Sequence, residues 1–345
     1  MTKRERVEET YRLGIPDRPP FVPAVYEHKA RLIGRSPSQL CRDGGLLEAA
    51  LAQELKTYDP DMLVVGVDVY NVEAEALGSR VRYFDESNDV PSVVEPAIKE
   101  HGDLRKLGVP DPESDGRLPL FLRVAHRLVR KVGGTMIARG AVTGPFSLAC
   151  ALAGTENLLA ATIEDKGFAR RLLEFASRVT VECGRAFLAR GAEVVIFDSK
   201  ASPEAASPRI FHDFVLPAYR NIVMPALLES GARFLPLIIG GDTTPILEDL
   251  LATGATQLLC DAGSDIERFM QRCGEAGKSV RISVDARLVH RGKPKEIRGE
   301  ATRLLQATKG QPGLLFGCGV VAYDTPVENV LALRDALESF SEGRA

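Results

Sequence analysis

The chain has 345 residues, is 45% hydrophobic and carries a formal net charge of −3. This length is enough for a large core, and barrels of alternating strands and helices routinely reach it as one domain. The near balance of charge, with no long basic run, gives no electrostatic footprint for nucleic acid, so we expect a small molecule or another protein as the partner.

The six cysteines include no CxxC pair and fit a reducing compartment rather than a disulfide framework. Residues 1–13 are charged and helical in pattern, unlike a signal peptide, and no apolar stretch reaches the roughly 18 residues that a membrane span needs. We therefore expect a cytoplasmic protein with no membrane partner. No unusual apolar helix face distinguishes a monomer from a homodimer.

Short apolar runs alternate with helical patterns along most of the chain. The predicted strands lie at 21–26, 60–68, 134–140, 193–197, 234–239, 257–259, 280–284 and 313–316. The predicted helices lie at 2–13, 46–56, 118–131, 155–164, 166–189, 209–230, 243–253, 264–276, 294–308 and 326–340. This alternation implies parallel βαβ units, and eight strands favour a single closed (β/α)8 TIM barrel over a doubly wound sheet.

Two segments fall outside the alternation. Residues 1–18 form an N-terminal extension that ends in a proline-rich entry to the first strand. Residues 69–112 are irregular, with a hairpin near 81–84, and so long an insertion is typical of a lid or an excursion at the domain edge.

Polar residues follow most of the predicted strands, and a barrel gathers its chemistry at these carboxyl ends. The candidates are Asp68, Gly144, Asp198, Ser199, Gly241, Asp242, Asp261, Asp285 and Cys318. Helix capping is the alternative for Asp242 and Asp261, because each precedes a predicted helix. Asp198 and Ser199 precede an irregular loop, which favours a functional role.

Two further features have open alternatives. His28 and Arg31, just past the first strand, are suited to an anionic substrate or belong to a solvated surface cluster. Cys318 lies between two glycines at the end of an apolar run, where it is either a thiol at the rim of a site or a small buried hydrophobe.

The motifs in this chain are Val67-Asp68-Val69, Gly144-Pro145-Phe146, Phe197-Asp198-Ser199, Gly240-Gly241-Asp242-Thr243-Thr244, Gly317-Cys318-Gly319 and Asp324-Thr325-Pro326. In this order they resemble the uroporphyrinogen decarboxylase superfamily over nearly the whole chain. That superfamily also contains the zinc-dependent coenzyme M methyltransferases and the methyltransferases of corrinoid demethylation systems.

Similarity to the decarboxylase branch implies that Asp68 matches the carboxylate placed under the pyrrole NH groups. The arginine-rich substrate segment of that branch corresponds here to Glu27-His28-Lys29-Ala30-Arg31, so one arginine is replaced by a carboxylate. The histidine of its Gly-His-Gly motif is Cys318. Uroporphyrinogen is therefore disfavoured as the substrate, because up to eight carboxylates would lack their partners.

The coenzyme M methyltransferases hold zinc with a His-x-Cys pair and a final cysteine. The pair falls on Ile238 and Gly240, and only Cys318 matches. Some corrinoid-dependent demethylases combine one carboxylate with two separated cysteines, and Asp242, Cys273 and Cys318 have that order. Cys260, at a strand end, is an alternative ligand. Zinc as a cofactor depends on these residues coming together.

The resemblance implies a methyltransferase that moves a methyl group between a small methylated compound and a corrinoid (cobalamin) on a carrier protein. Its candidate acids or orienting groups are Asp68, Asp198 and Asp242. The candidate substrate contacts are His28, Arg31, Gly144, Ser199, Gly241 and Asp285. Two alternatives remain open: decarboxylation of a tetrapyrrole-like or smaller acid, and a non-catalytic barrel that binds a corrinoid or tetrapyrrole.

Overall fold

A computed structural model describes residues 1–68 and 70–343 of the chain. Seven parallel strands pair in chain order, and a separate antiparallel hairpin lies beside them. The parallel strands are β1 Met62–Val65, β4 Ile137–Thr143, β5 Glu193–Phe197, β6 Pro236–Ile238, β7 Gln257–Cys260, β8 Ser279–Val284 and β9 Leu314–Cys318. The hairpin is β2 Arg80–Arg82 with β3 Ser92–Glu95.

An extended segment, residues 21–24, occupies the eighth position and closes the barrel. Val22 N donates to Phe316 O at 2.7 Å, and Val321 N donates to Ala24 O at 3.0 Å. On the other side, Asp61 N donates to Phe21 O at 2.9 Å. Pro23 in this segment, and Pro19 and Pro20 directly before it, lack an N–H, which explains why the segment forms isolated bridges rather than a continuous ladder. The predicted barrel is confirmed.

Helices connect the strands and form the outer layer. They are α1 Lys3–Tyr11, α2 His28–Arg31, α3 Pro37–Leu40, α4 Gly44–Tyr58, α5 Val72–Ala76, α6 Leu118–Val132, α7 Pro145–Ala153, α8 Thr155–Glu164, α9 Lys166–Leu188, α10 Pro208–Ile210, α11 Leu216–Ala218, α12 Met224–Glu229, α13 Leu247–Ala252, α14 Ile266–Glu275, α15 Ala286–Arg291, α16 Pro294–Ala307 and α17 Val327–Glu342. Two π-helical stretches, Phe211–Val215 and Tyr219–Val223, interrupt the run from α10 to α12.

Every predicted helix and strand has an observed counterpart, although the predicted first strand is only an extended segment with isolated bridges. The prediction missed five helices of the described chain, namely α2, α3, α5, α7 and α15. The predicted lid begins at Val69, which lies outside the described residues; its described part contains α5, the hairpin and a 3-10 turn at His101–Lys106. Whether it moves as a lid stays a prediction. Within the described chain no single helix is long and apolar enough to cross a membrane. Taken together, α7 and α8 have the length and composition of a membrane span, but they are bent by 104° at the break between them.

Helix α1 covers the amino-terminal end of the barrel. Its Val7 packs with Val22, Met62, Ile137 and Leu315, which are all buried. This apolar layer closes the bottom of the barrel, so a ligand has access only from the opposite end, where the strands finish.

One carboxylate holds the N-terminal extension, the closing segment and β1 together. Asp61 is fully buried and accepts hydrogen bonds from Arg6 Nη1, Arg18 Nη1 and Phe21 N, each at 2.6 Å. A buried carboxylate with this many donors, two of them charged, is strongly stabilised relative to one that loses a partner.

We expect Asp61→Asn to lower the free energy of unfolding by about 3–5 kcal/mol, because two guanidinium groups would lose their buried counter-charge. Urea unfolding followed by circular dichroism measures this loss. The matched control is Asp59→Asn, since Asp59 pairs only with Lys3 and is 59% exposed. Its expected change is about 0–1 kcal/mol. Equal losses in the two variants would contradict the assignment.

Candidate functional site

A cavity of about 280 Å³ opens at the carboxyl ends of the strands. Its lining is mostly apolar and aromatic, with few polar groups. The lining residues are Ala24, Tyr26, Glu27, Val67, Asp68, Tyr70, Asn71, Val90, Pro91, Phe197, Ser199, Ile238, Gly240, Leu259, Asp261, Arg281, Gly319 and Val320. A concave, largely apolar cavity with a few converging polar groups is the usual form of a small-molecule site.

Tyr26, Ile238 and Arg281 form the floor of the cavity. All three also line a smaller hollow of about 20 Å³ deeper in the barrel, so they separate the two spaces. Tyr26 meets Phe197 edge-on, with ring centroids 5.3 Å apart. The floor therefore consists of the Tyr26 ring, which packs against Phe197, one aliphatic side chain and one guanidinium.

Asp68 lies in the wall of the cavity and is held by Arg117. Its Oδ2 accepts from Arg117 Nη1 at 2.8 Å, and Arg117 Nη2 donates to Asn71 Oδ1 at 2.6 Å. Burial raises the pKa of Asp68, and the Arg117 guanidinium opposes that rise. Asp68 Oδ1 is buried without an N–H or O–H donor among the described residues. It can therefore accept a hydrogen bond from a ligand.

Glu27 is a half-buried carboxyl group in the same lining. It forms no ion pair with the described part of the chain. Burial raises the pKa of Glu27 to about 7, because a charged carboxylate is poorly solvated there. A carboxyl group with such a pKa exchanges protons readily at neutral pH, which is the property of a general acid or base.

Ser199 is the predicted substrate contact that does line the cavity. Its Oγ and the Tyr70 hydroxyl are 2.6 Å apart and share a hydrogen bond. Residue 199 begins a 3-10 turn directly after β5, which places the hydroxyl at the strand end. Its role in substrate binding stays a prediction, as does the catalytic role of Asp68.

Asp198, expected among the catalytic residues, does not line the cavity. Its carboxylate is fully buried and accepts from Ser147 N at 2.6 Å, Phe146 N at 3.2 Å and the Tyr219 hydroxyl at 2.6 Å. These contacts give hydrogen-bond acceptors to the first free N–H groups of α7. The negative charge of the carboxylate also interacts favourably with the positive end of the helix dipole. Burial raises the pKa of Asp198, and the hydrogen bonds oppose that rise.

Gly144 is a packing residue for this carboxylate rather than a substrate contact. A Cβ at residue 144 would lie 2.3 Å from the Tyr219 hydroxyl and 2.5 Å from Asp198 Cβ. Only glycine therefore allows β4, β5 and the helix that carries Tyr219 to approach this closely.

We expect Gly144→Ala to lower the free energy of unfolding by about 1–3 kcal/mol, because the added methyl group overpacks this contact. Urea unfolding is the measurement. Gly134→Ala is the matched control, since a Cβ there meets nothing within 4 Å. A Gly144→Ala protein as stable as the control would show that the space is not limiting.

His28 and Arg31 do not form the expected anion site. His28 is fully buried, with Nδ1 2.9 Å from Tyr323 O and Nε2 2.7 Å from the Tyr58 hydroxyl. Burial lowers the pKa of His28, which favours its neutral form. Arg31 is exposed on α2 and does not line the cavity. His28 therefore fixes the loop after β9 to α4.

Three other candidates have local backbone roles. Asp242 is exposed and accepts from Thr244 N at 2.9 Å, and Asp285 caps α15 by accepting from Arg287 N at 2.7 Å. Gly241 has φ +79° and donates its N–H to Asp261 Oδ2 at 3.0 Å. Asp242 thus stabilises a turn, and Asp285 caps a helix. The N–H of Gly241 orients the carboxylate of Asp261, and Asp261 lines the cavity.

The expected metal ligands are not assembled. In residues 1–68 and 70–343 no three His, Cys, Asp or Glu side chains are placed to hold a metal ion. Cys260 and Cys273 are buried, and burial raises the pKa of each to about 12. Cys318 is fully buried beside the Arg281 guanidinium, whose charge disfavours a cation there. Zinc does not fit this arrangement.

Sequence reasoning did not single out Glu27, Tyr70, Arg117 or Arg281 for the site. Two sequence signals mark Glu27: its position just after the first strand, and its place in the segment where a carboxylate replaces an arginine of the decarboxylases. Arg281 could have been found from the sequence, because it is a charged residue inside the apolar strand 279–284. Such a residue usually faces the interior of a barrel or lies at a bulge.

The uroporphyrinogen decarboxylase (URO-D) family model matches residues 2–340. The uroporphyrinogen decarboxylase of Aromatoleum aromaticum is 27% identical over 313 residues, which cover 88% of this chain and 85% of that protein. The methylcobamide:CoM methyltransferase of Methanosarcina mazei is 27% identical over 275 residues, which cover 78% and 77%. A solved methyltransferase from Methanosarcina mazei has a TM-score of 0.86 at 22% identity and covers 99% of each chain, which supports the fold.

Proposed function

Because the chain belongs to the uroporphyrinogen decarboxylase family, whose members include decarboxylases and methyltransferases, we propose that it transfers a methyl group from a small methylated compound to a corrinoid. The corrinoid would be carried by a partner protein. The observation that supports this choice most strongly is the size and charge of the cavity at the barrel mouth.

That cavity is small, and its charged groups do not suit a substrate with many carboxylates. Among the described lining residues, Arg281 is the single cation, against Glu27, Asp68 and Asp261. Most carboxylates of a substrate that carries up to eight would find no cationic partner in this lining. A small, mostly apolar substrate fits this lining better, and that argues against the tetrapyrrole decarboxylase alternative.

Methyl transfer from an oxygen, nitrogen or sulfur atom needs an acid at the leaving atom. The bond between that heteroatom and the methyl carbon breaks, and its electron pair stays on the heteroatom, which then takes a proton. Glu27 is the proposed proton donor, since its pKa of about 7 leaves a substantial protonated fraction at neutral pH. Asp68 Oδ1 is the proposed acceptor that orients the substrate.

The methyl acceptor must approach from outside the barrel. A reduced corrinoid supplies the cobalt nucleophile for the methyl group. Two lining residues, Val90 and Val320, are 39% and 49% exposed, so an apolar rim faces solvent at the cavity mouth. Such a rim suits the docking of a large, partly apolar cofactor, and it leaves the methyl end of a bound substrate accessible for in-line transfer.

Glu27→Gln should lower the methyl-transfer rate at pH 6 by about 100-fold or more, because an amide cannot donate the proton. The wild-type rate should fall as the pH rises through about 7, since deprotonation of Glu27 removes the acid. The variant should lack this pH step. Glu156→Gln, an exposed acid on α8, is the control and should keep the wild-type profile. A wild-type profile retained in Glu27→Gln would exclude Glu27 as the acid.

Anaerobic incubation with chemically reduced cobalamin and a panel of aryl methyl ethers, methyl thioethers and methylamines tests the function itself. The absorbance of cobalt reports methylation directly. Transfer from one class of donor supports the proposal. No change with any class, together with carbon dioxide release from coproporphyrinogen or an aromatic acid, would favour the decarboxylase. Tight cobalamin binding without transfer would favour a non-catalytic barrel.

A further inference from the structure

We propose that Arg281 binds the carboxylate of a small methylated monocarboxylic acid on the floor of the cavity. This inference rests on the proposed function and names its substrate class: an apolar body with a methylated heteroatom at one end and a carboxylate at the other. The carboxylate would lie at the floor, and the methylated end would face the mouth.

Arg281 is a buried cation without a counter-charge. It is 5% exposed, and its Nη2 makes only long contacts, 3.2 Å to Cys318 O and 3.4 Å to Ser283 Oγ. Its Nε is buried without an acceptor, and no described carboxylate forms an ion pair with it.

Several other buried or partly buried cations of the described chain have a carboxylate as their partner. Arg6 and Arg18 share Asp61, Arg117 pairs with Asp68, and Lys29 lies 3.2 Å from Glu54. Removing a guanidinium from water without an anion is costly, whereas a carboxylate can accept two parallel N–H bonds from it. An anion from solution is therefore the missing partner of Arg281.

Arg139 is the informative exception. It is also buried inside the barrel, and its Nε also lacks an acceptor. However, it donates to the Tyr11 hydroxyl and lines only the 20 Å³ hollow below the floor, which has room for about one water molecule. Arg281 faces the 280 Å³ cavity, so it alone of this pair can reach a ligand.

The remaining lining restricts the acid to one carboxylate and an apolar body. Tyr26, Phe197 and Leu259 surround the space next to the guanidinium, and they favour an aromatic or aliphatic body. Glu27, Asp68 and Asp261 would repel a second carboxylate. With the carboxylate on the floor, the far end of the ligand points toward the open rim at Val90 and Val320.

Binding to wild-type protein tests the inference without any methyl transfer. Calorimetry should show that 4-methoxybenzoate and 3-(methylthio)propanoate bind at least tenfold tighter than 4-methoxybenzamide and 3-(methylthio)propanamide. Each amide keeps the body and the methyl group of its acid and removes the charge. If neither acid binds tighter than its amide, Arg281 does not recognise a carboxylate and the inference is wrong.

Three variants assign the preference to one residue. Arg281→Met should abolish the preference for the acid, and Arg281→Lys should keep part of it, because an ammonium retains the charge but lacks the planar fork. Arg139→Met is the matched control and should keep the full preference. Unliganded Arg281→Met should melt at the wild-type temperature or above, since an unpaired buried charge is removed. A large fall in melting temperature would indicate a structural arginine.

Failure of this inference is distinguishable from failure of the proposed function. Carboxylate binding that depends on Arg281, without methyl transfer to cobalamin, would retain the site and remove the methyltransferase. Methyl transfer from neutral ethers or thioethers, with no preference for acids, would retain the methyltransferase and overturn the role of Arg281.

Discussion

Closure of the barrel through the short segment 21–24 is the constraint on which the rest of the structure depends. Because Pro23 removes a donor from this segment, the few backbone hydrogen bonds to Phe316 and Val321 and the buried Asp61 carboxylate must hold it. Tyr26 and Glu27 follow directly from it. Closure therefore places residues from near both ends of the chain around one cavity.

The cavity has a guanidinium on its floor and an exposed apolar rim at its mouth. Arg281 lies at the floor, and the half-buried Glu27 is the group whose protonation changes near neutral pH. A ligand held at Arg281 by its anionic end would thereby present its opposite end to the solvent-facing rim. In the proposed reaction, the methyl group would leave from that end.

The alternation of apolar runs and helices was sufficient to predict the barrel, and strand 193–197 was predicted with its observed ends. Position after a strand also located Asp68 and Ser199. It could not separate Asp198 and Asp285 from the site, because helix capping selects the same residue type at the same place. The raised pKa of Glu27 and the missing counter-charge of Arg281 depend on burial and on residues distant in sequence. The periodicity of the sequence does not reveal these contacts.

A crystal structure of the protein with 4-methoxybenzoate tests the central claim most directly, because it reports both the location and the orientation of the ligand. We expect the carboxylate within hydrogen-bonding distance of Arg281 and the methoxy group at the rim formed by Val90 and Val320. A ligand bound the other way round, with its methyl group on the floor, or a ligand bound outside the cavity, would contradict it.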